Sequence, residues 1–286
     1  MKLTRRKFIK NMVRSFLGFL GLSGLSYYYA KYVEPDLLTV KKFSIHHSKI
    51  PKSFHNVDIL QFSDTHIGFH YDLNKFEQLI ETINKKNPDL IIFTGDLVDE
   101  PQTYSFTDRL PSLLNRLEAP LGKYWIYGNH DHGGYGTEKI YEVMSRGGFT
   151  LLQNESTSIQ KDSDSFTLAG LDDVMLGRPD IKETLSDRIE NSFTLLLAHE
   201  PDIADQVQRY GVDVQLSGHS HGGQVQLPIY GYLITPPLAE KYVEGHYQLP
   251  DGMDLFVSRG LGTTRVPYRF LCRPELSIFR LKSPEI

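Results

Sequence analysis

Short apolar runs that end on a small or polar residue recur through the chain. Residues 57–62 make one such run and stop at Ser63-Asp64, and residues 90–94 make another that stops at Gly95-Asp96. Residues 124–127 lead into Gly128-Asn129, 193–198 into His199, and 212–216 towards Gly218-His219. Runs of this length, bounded by turn residues, predict buried strands. Further strands are expected at 166–171, 225–227, 255–258 and 276–281. Leu73, Phe76, Leu79, Ile80 and Ile83 recur at helical spacing behind Asp72, which is placed to cap the helix. Residues 106–117 and 137–145 also read as helices, the second stopped by Gly147-Gly148. Strands alternating with helices, followed by a strand-rich second half, predict a layered α/β domain. In such layers ligands bind beyond the carboxyl ends of the strands. Asp64, Asp96, Asn129, His199 and His219 all fall there, which predicts one shared polar site.

The chain has 286 residues, 40% of them hydrophobic and 12% aromatic, a composition that supports a substantial core and excludes a disordered chain. No repeat or second linker interrupts residues 53–286, which read as one domain behind a 31–52 segment of linker and first strand. A single cysteine, Cys272, excludes a disulfide framework and an all-thiolate zinc site, and it reads as a small buried hydrophobe.

Charge changes the picture at the start. Residues 1–30 hold Lys2, Arg5, Arg6, Lys7, Lys10 and Arg14 and no acid. Without those six, the 31 basic residues fall to 25 against 35 acidic ones, so the rest of the chain stands near −10 and does not read as a nucleic-acid binder. The uncharged run at 15–30 is shorter than the roughly 20 residues that span a bilayer as a helix. A basic start before a short apolar run is the layout of an export signal. Gly18, Gly21 and Gly24, each costing about 1 kcal/mol of helix propensity, argue against a first helix of the folded domain. Thr4-Arg5-Arg6-Lys7-Phe8-Ile9-Lys10 resembles the twin-arginine export signal, with Ile9 where that signal has Leu. The resemblance implies passage of the folded protein through the twin-arginine machinery to an extracytoplasmic place at the membrane or cell wall. Tyr27, Tyr28 and Tyr29 stand where a peptidase needs small residues, so residues 1–30 are expected to remain as a membrane anchor.

The candidate chemistry lies in five blocks. In extended backbone, residues i and i+2 share a side, so Asp64-Thr65-His66 and His219-Ser220-His221 can each present two ligands to one point. Mixed carboxylate and imidazole donors suit Mn, Fe, Co or Zn better than calcium. Taken singly, each block has a plainer reading: Asp96 as an Asx-turn, Asn129-His130-Asp131 as a turn, His199 as a hydrogen-bonded core residue. In order, Asp64-x-His66, Gly95-Asp96-x-x-Asp99, Gly128-Asn129-His130-Asp131, His199 and Gly218-His219-x-His221 resemble the calcineurin-like metallophosphoesterase family.

The resemblance implies a four-layer fold, two packed mixed β-sheets flanked by α-helices, and a centre of two divalent transition-metal ions. Asp64, His66 and His221 would hold one ion, Asn129, His199 and His219 the other, and Asp96 would bridge them. A water shared by the two ions would attack phosphorus. His130, pointing away from the ions in extended backbone, would serve the leaving group as general acid, and Asp99 would orient it. Asp131 reads as structural. The substrate implied is a phosphoester or pyrophosphate of the cell envelope, with a UDP-diacylglucosamine-type pyrophosphate as one alternative. A non-catalytic metal-binding scaffold at the membrane is the rival from another class. It is disfavoured because every ligand block is present. His46, His47, His55, His70, His132 and His246 match no block and read as surface residues. Gly222-Gly223-Gln224 reads as backbone passing close to the site. Arg265, Arg269 and Arg273, in a turn-rich stretch, are candidates for holding a second phosphate or a lipid headgroup.

Overall fold

A computed structural model describes residues 5–132 and 136–284, so Lys2 and Thr4 of the basic stretch lie outside the described residues. The strands of the first half are β1 (Thr39–His46), β2 (Asp58–Phe62), β3 (Leu90–Phe93), β4 (Lys123–Trp125), β5 (Thr150–Leu151), β6 (Glu155–Lys161) and β7 (Asp164–Gly170). Those of the second half are β8 (Thr194–Leu197), β9 (Val214–Ser217), β10 (Gln226–Leu227), β11 (Gly231–Tyr232), β12 (Gly245–Gln248), β13 (Asp254–Val257) and β14 (Glu275–Lys282). One six-stranded sheet runs β1-β14-β2-β3-β4-β5, the other β12-β13-β9-β8-β7-β6, and β10 and β11 form a separate hairpin. Both sheets are mixed: β2 to β5 are parallel with β14 antiparallel to β2, and β13, β9, β8 and β7 are parallel between antiparallel edges.

The alternation along each strand sets the layers. In β2 and β3, Ile59, Leu90 and Ile92 face the second sheet, where Leu195, Leu197, Val214, Leu216 and Phe256 meet them. Leu60, Phe62, Ile91 and Phe93 point the other way, into a cluster with helix residues. That cluster takes Phe76, Leu79, Ile80 and Ile83 from the helix Leu73–Asn84, Leu110 and Leu114 from Arg109–Asn115, and Ile140 and Met144 from Thr137–Arg146. On the far side of the second sheet, Leu196, Ala198, Leu255 and Val257 pack beneath short helical turns through Ile203, Ala204 and Val207. The central strands β2, β3, β8 and β9 are buried on both faces, which is why these positions read as near-continuous apolar runs. The two sheets with helices on both outer faces match the architecture expected from the sequence. Asp72 caps its helix as expected, accepting from the backbone N–H groups of Asn74 and Lys75 at 2.9 Å.

The N-terminal segment is helical but is no helix of the domain core. It is one helix, α1 (Arg5–Tyr32), in which only Ala30 is buried. Side chains added at Gly18, Gly21 or Gly24 would meet nothing, so these glycines serve no packing contact and weaken the helix without breaking it. None of the described helices is long and apolar enough to cross a membrane. Only the last turns of α1 touch the domain. Tyr27 packs against Tyr268, Tyr29 against Phe270, and the Ala30 carbonyl accepts from Arg269 N–H at 3.0 Å.

Candidate metal centre

All five blocks leave their strands at the same edge of the two sheets. Asp64 follows β2, Asp96 follows β3, Asn129 follows β4, His199 follows β8 and His219 follows β9. The backbone there is not the extended chain that the i, i+2 reading assumed. Asp64, His66, Asp96, His219 and His221 all lie in the left-handed region, at φ of 52°, 43°, 63°, 68° and 52°. Non-glycine residues there are strained by of order 1 kcal/mol or more each, and such strain clusters at functional sites. Backbone bonds hold these turns in place, Asp64 N–H to the Gly95 carbonyl at 2.9 Å and His66 N–H to the Asp96 carbonyl at 3.2 Å. Tight turns, rather than a pleat, send the side chains inward. The glycines that open two blocks are needed for close approach. A Cβ on Gly95 would lie 2.6 Å from Gly128 N, and one on Gly218 would lie 2.5 Å from the Asp64 carboxylate.

The ligand blocks converge in two groups, and a third grouping, Asp99 and His130 with His66, adjoins the first. Asp64, His66 and His221 each offer a donor atom within 4.8 Å of the others, and so do Asp96, His199 and His219. Asp96 Oδ2 stands between the groups, 3.4 Å from His66 Nε2 and 3.3 Å from His199 Nε2. His66 Nε2 and His221 Nε2 face each other at 3.0 Å. His219 and His221, two residues apart, therefore join different groups. Asn129 Oδ1 and His199 Nε2 are buried with no hydrogen-bond partner, an expensive state for polar atoms unless something else meets them. Carboxylate oxygen, amide oxygen and imidazole nitrogen together fit first-row divalent ions.

Three of the four imidazoles are fixed through their other nitrogen. His66 Nδ1 is 2.9 Å from Asp99 Oδ1, His199 Nδ1 is 2.6 Å from the Thr94 carbonyl, and His219 Nε2 is 2.9 Å from the Pro237 carbonyl. Partners of this kind orient a metal-binding histidine and set its tautomer. Burial, with the neighbouring His199, pushes the His219 imidazole down to about 3. Burial, His66 and Arg269 likewise hold His221 well below the usual range, so both keep an uncharged ring with a free lone pair. Burial opposes charge on His199 too, but the facing Asp96 and Asp64 carboxylates outweigh it and hold that ring well above its ordinary value. The same field favours a cation at that point.

His130 does not lie in extended backbone. Residues Asn129–His132 form a helical turn, and His130 N–H donates to Asp96 Oδ1 at 2.8 Å. The ring stands edge-on to His66 at 4.5 Å and lines the cavity above the centre together with Asp96, Asn129 and His219. Asp99 holds it, but by the backbone: His130 Nδ1 donates to the Asp99 carbonyl at 2.6 Å, while the Asp99 carboxylate serves His66 and accepts from Thr264 Oγ1 at 3.1 Å. Asp131 is fully buried and accepts from the N–H groups of Asp96, Leu97 and Gly128 at 2.8, 3.0 and 3.0 Å. It ties two of the five blocks together.

Residues 57–223, more than half of the chain, match the model of the calcineurin-like phosphoesterase family. A Bacillus subtilis metallophosphoesterase, YkuE, is 46% identical over 99% of both chains. The chain belongs to the calcineurin-like phosphoesterases. A Helicobacter pylori metallophosphoesterase is 31% identical over 97% of this chain and 72% of its own. The UDP-2,3-diacylglucosamine pyrophosphatase LpxG of Chlamydia trachomatis is 27% identical over 90% of this chain and 93% of its own. Calcineurin-like phosphoesterases are metal-dependent phosphoester hydrolases, and this chain carries the matching groups of candidate ligands.

In this calcineurin-like phosphoesterase the turn-rich stretch after Gly260 is only partly at the surface. Arg269 is fully buried and gives its guanidinium to the carbonyls of Gly262, Cys272 and Arg259 at 2.6 to 3.1 Å, 3.5 Å from His221 Nδ1. Buried Glu34, just past α1, accepts from Leu271 N–H at 2.9 Å and anchors the same segment. Neither role has a signal in the sequence. Of the three arginines only Arg265 lines the cavity, whereas Arg273 is exposed elsewhere. Cys272 is buried, as expected. Gly222 and Gly223 take positive φ and press against Cys272 and Tyr232. Three of the remaining histidines face a carboxylate. His132 Nε2 pairs with Asp172 Oδ1 and His246 Nε2 with Asp254 Oδ1, both at 2.8 Å, and His47 reaches Asp213 at 3.4 Å; His46, His55 and His70 are exposed.

Proposed function

We propose that the protein is an exported hydrolase that cleaves a phosphoester or pyrophosphate of the cell envelope with two divalent transition-metal ions. Asp64, His66 and His221 would hold one ion, Asn129, His199 and His219 the other, with Asp96 between them. The observation that carries this reading is the convergence of six donors in two groups, with Asn129 Oδ1 and His199 Nε2 buried and unpartnered. When bound, the ions supply positive charge for the phosphoryl oxygens and acidify water.

The chain's own groups do the rest. Asp99 fixes two rings at once, His66 through its carboxylate and His130 through its carbonyl. With Nδ1–H committed to that carbonyl, the imidazolium form of His130, which burial opposes but the nearby Asp96 and Asp99 favour, would give its Nε2 proton to the leaving oxygen and be left as the neutral Nδ1–H ring. Arg265, exposed at the mouth, is placed to meet the outer phosphoryl oxygens as a charged donor. The similarity to LpxG favours a pyrophosphate substrate as the second reading. Export through the twin-arginine machinery is supported by Arg5-Arg6 on a helix that stays outside the domain core.

The test has two arms. Metal content is measured by elemental analysis, and turnover is screened over bis-p-nitrophenyl phosphate, phospholipids, teichoic acids, undecaprenyl pyrophosphate and nucleotide-sugar pyrophosphates. Metal-dependent turnover of an envelope substrate is expected, and a metal-loaded protein that cleaves none of them would leave the scaffold reading standing. For export, Arg5→Lys with Arg6→Lys is expected to hold the folded protein in the cytoplasm on cell fractionation. Unchanged extracytoplasmic localisation would contradict the twin-arginine route.

A further inference from the structure

Two apolar surfaces stay uncovered among the described residues, and they adjoin. The first is α1, on which Phe8, Phe16, Leu17, Phe19, Leu22 and Leu25 are each at least 60% exposed. The second is the β10–β11 hairpin with the residues just after it, where Ile229 is fully exposed, Tyr230 84% and Ile234 75%. Residues 222–239, which include the hairpin, carry no charge. Ile229 sits at φ 75°, a costly conformation for a β-branched residue, and its side chain meets solvent.

One segment joins the two surfaces. Phe270 pairs by backbone with Gln224 and Gln226 at the foot of the hairpin, and its ring packs on Tyr29 of α1. The hairpin also borders the metal centre, because Ile234 lines the cavity that holds His130 and His219.

We propose that this hairpin is a membrane-docking element. With α1 it enters the surface of an anionic lipid bilayer, so that the mouth of the site opens towards the headgroups. Three observations select lipid over a protein partner. The exposed apolar side chains of α1 surround the helix rather than marking one face, as a medium would cover them and a folded partner would not. Arg5, Arg6, Lys7, Lys10 and Arg14 stand on α1, and no acid precedes Glu34, which complements anionic headgroups. With none of the described helices apolar enough to cross, insertion to interfacial depth is the mode that suits these side chains. The docking claim stands apart from the hydrolase reading, since its test contains no substrate. A lipid-linked phosphoester as substrate would follow only if both hold.

The full-length protein with Tyr230→Cys is labelled with the environment-sensitive fluorophore NBD. Cys272 is buried and stays unlabelled. Vesicles of phosphatidylcholine, with and without phosphatidylglycerol, are then added. The expected result is a blue-shifted, severalfold brighter emission with the phosphatidylglycerol vesicles only, and no change for the label at Gln160→Cys on edge strand β6. In the unlabelled protein, Ile229→Asp with Tyr230→Asp is expected to weaken partitioning into those vesicles by about tenfold or more, with an unchanged melting temperature. An unshifted probe at 230 on protein that sediments with vesicles would overturn the proposal, leaving α1 as the docking element. Equal binding to both vesicle types, or none to either, would overturn it as well. So would a dimer on gel filtration that the double substitution dissolves, since a second copy would then cover the hairpin.

Discussion

Beyond the carboxyl ends of β2, β3, β8 and β9, six carboxylate and imidazole residues are buried at 4% exposure or less, while along α1 and the hairpin Phe, Leu, Ile and Tyr side chains stand in the open. The two regions invert the usual order in opposite directions. Each is costly for the polypeptide alone, the first through desolvated polar groups and strained turns, the second through apolar surface in water. The difference teaches where each completes itself. The buried region is complementary to small cations, with every block braced by Thr94, Asp99, Asp131 or Pro237. Among the described residues the exposed region is braced at its edge, by Tyr268, Arg269 and Phe270, and is complementary to an extended apolar medium.

Substitutions can break this contrast at different points. The largest effect is expected at His130, which lines the centre without being one of its proposed ligands. His130→Gln should leave the metal content near wild type and lower kcat by about 10²–10⁴-fold for esters of unactivated alcohols. A p-nitrophenyl ester, whose leaving group needs no proton, should lose much less. The check is kcat across a series of leaving groups, and a uniform loss would make His130 a stabiliser of phosphoryl charge.

Arg269 tests the bracing itself. Arg269→Met leaves buried carbonyls of Gly262, Arg259 and Cys272 without their donor, at a cost of about 3 kcal/mol. For a chain of this size that is a drop of about 10 °C in melting temperature, read by calorimetry. The smallest effect is expected at the rim. Arg265→Ala should raise KM about tenfold while leaving kcat within a few-fold, the signature of a binding contact made equally in ground and transition states.

The reach of the sequence differs between these regions for physical reasons. The parallel strands β2, β3, β8 and β9 are buried on both faces, so their apolar runs read directly as strands, and the polar residue after each run marks the site. Edge strand β6 escapes because only Ile159 of its seven residues is fully buried. The helix α1 escapes because its glycines lower propensity without contributing any contact against it. Within the site, residue identity carries the blocks but not their backbone. Left-handed turns at Asp64, Asp96 and His219 depend on bonds from other loops, which no local pattern encodes. The same holds for Asp131, which accepts from Asp96 and Leu97 more than thirty residues away, and for Arg269, which meets carbonyls three to ten residues away in a loop that no periodic pattern marks. Asp99 shows the limit most sharply. The family resemblance marks it as the residue that orients His130, yet the atom nearest His130 is its carbonyl, at 2.6 Å, while its carboxylate lies 2.9 Å from His66 and 3.7 Å from His130.

The central claim is that the two groups of donors hold two ions with Asp96 shared between them. Elemental analysis of the purified wild type and of Asp96→Asn tests it directly. The expected result is two divalent transition-metal ions per wild-type chain, and loss of both to well below one per chain in the variant, because one negative charge between two cations is removed. Retention of two ions by Asp96→Asn, with full activity, would contradict it.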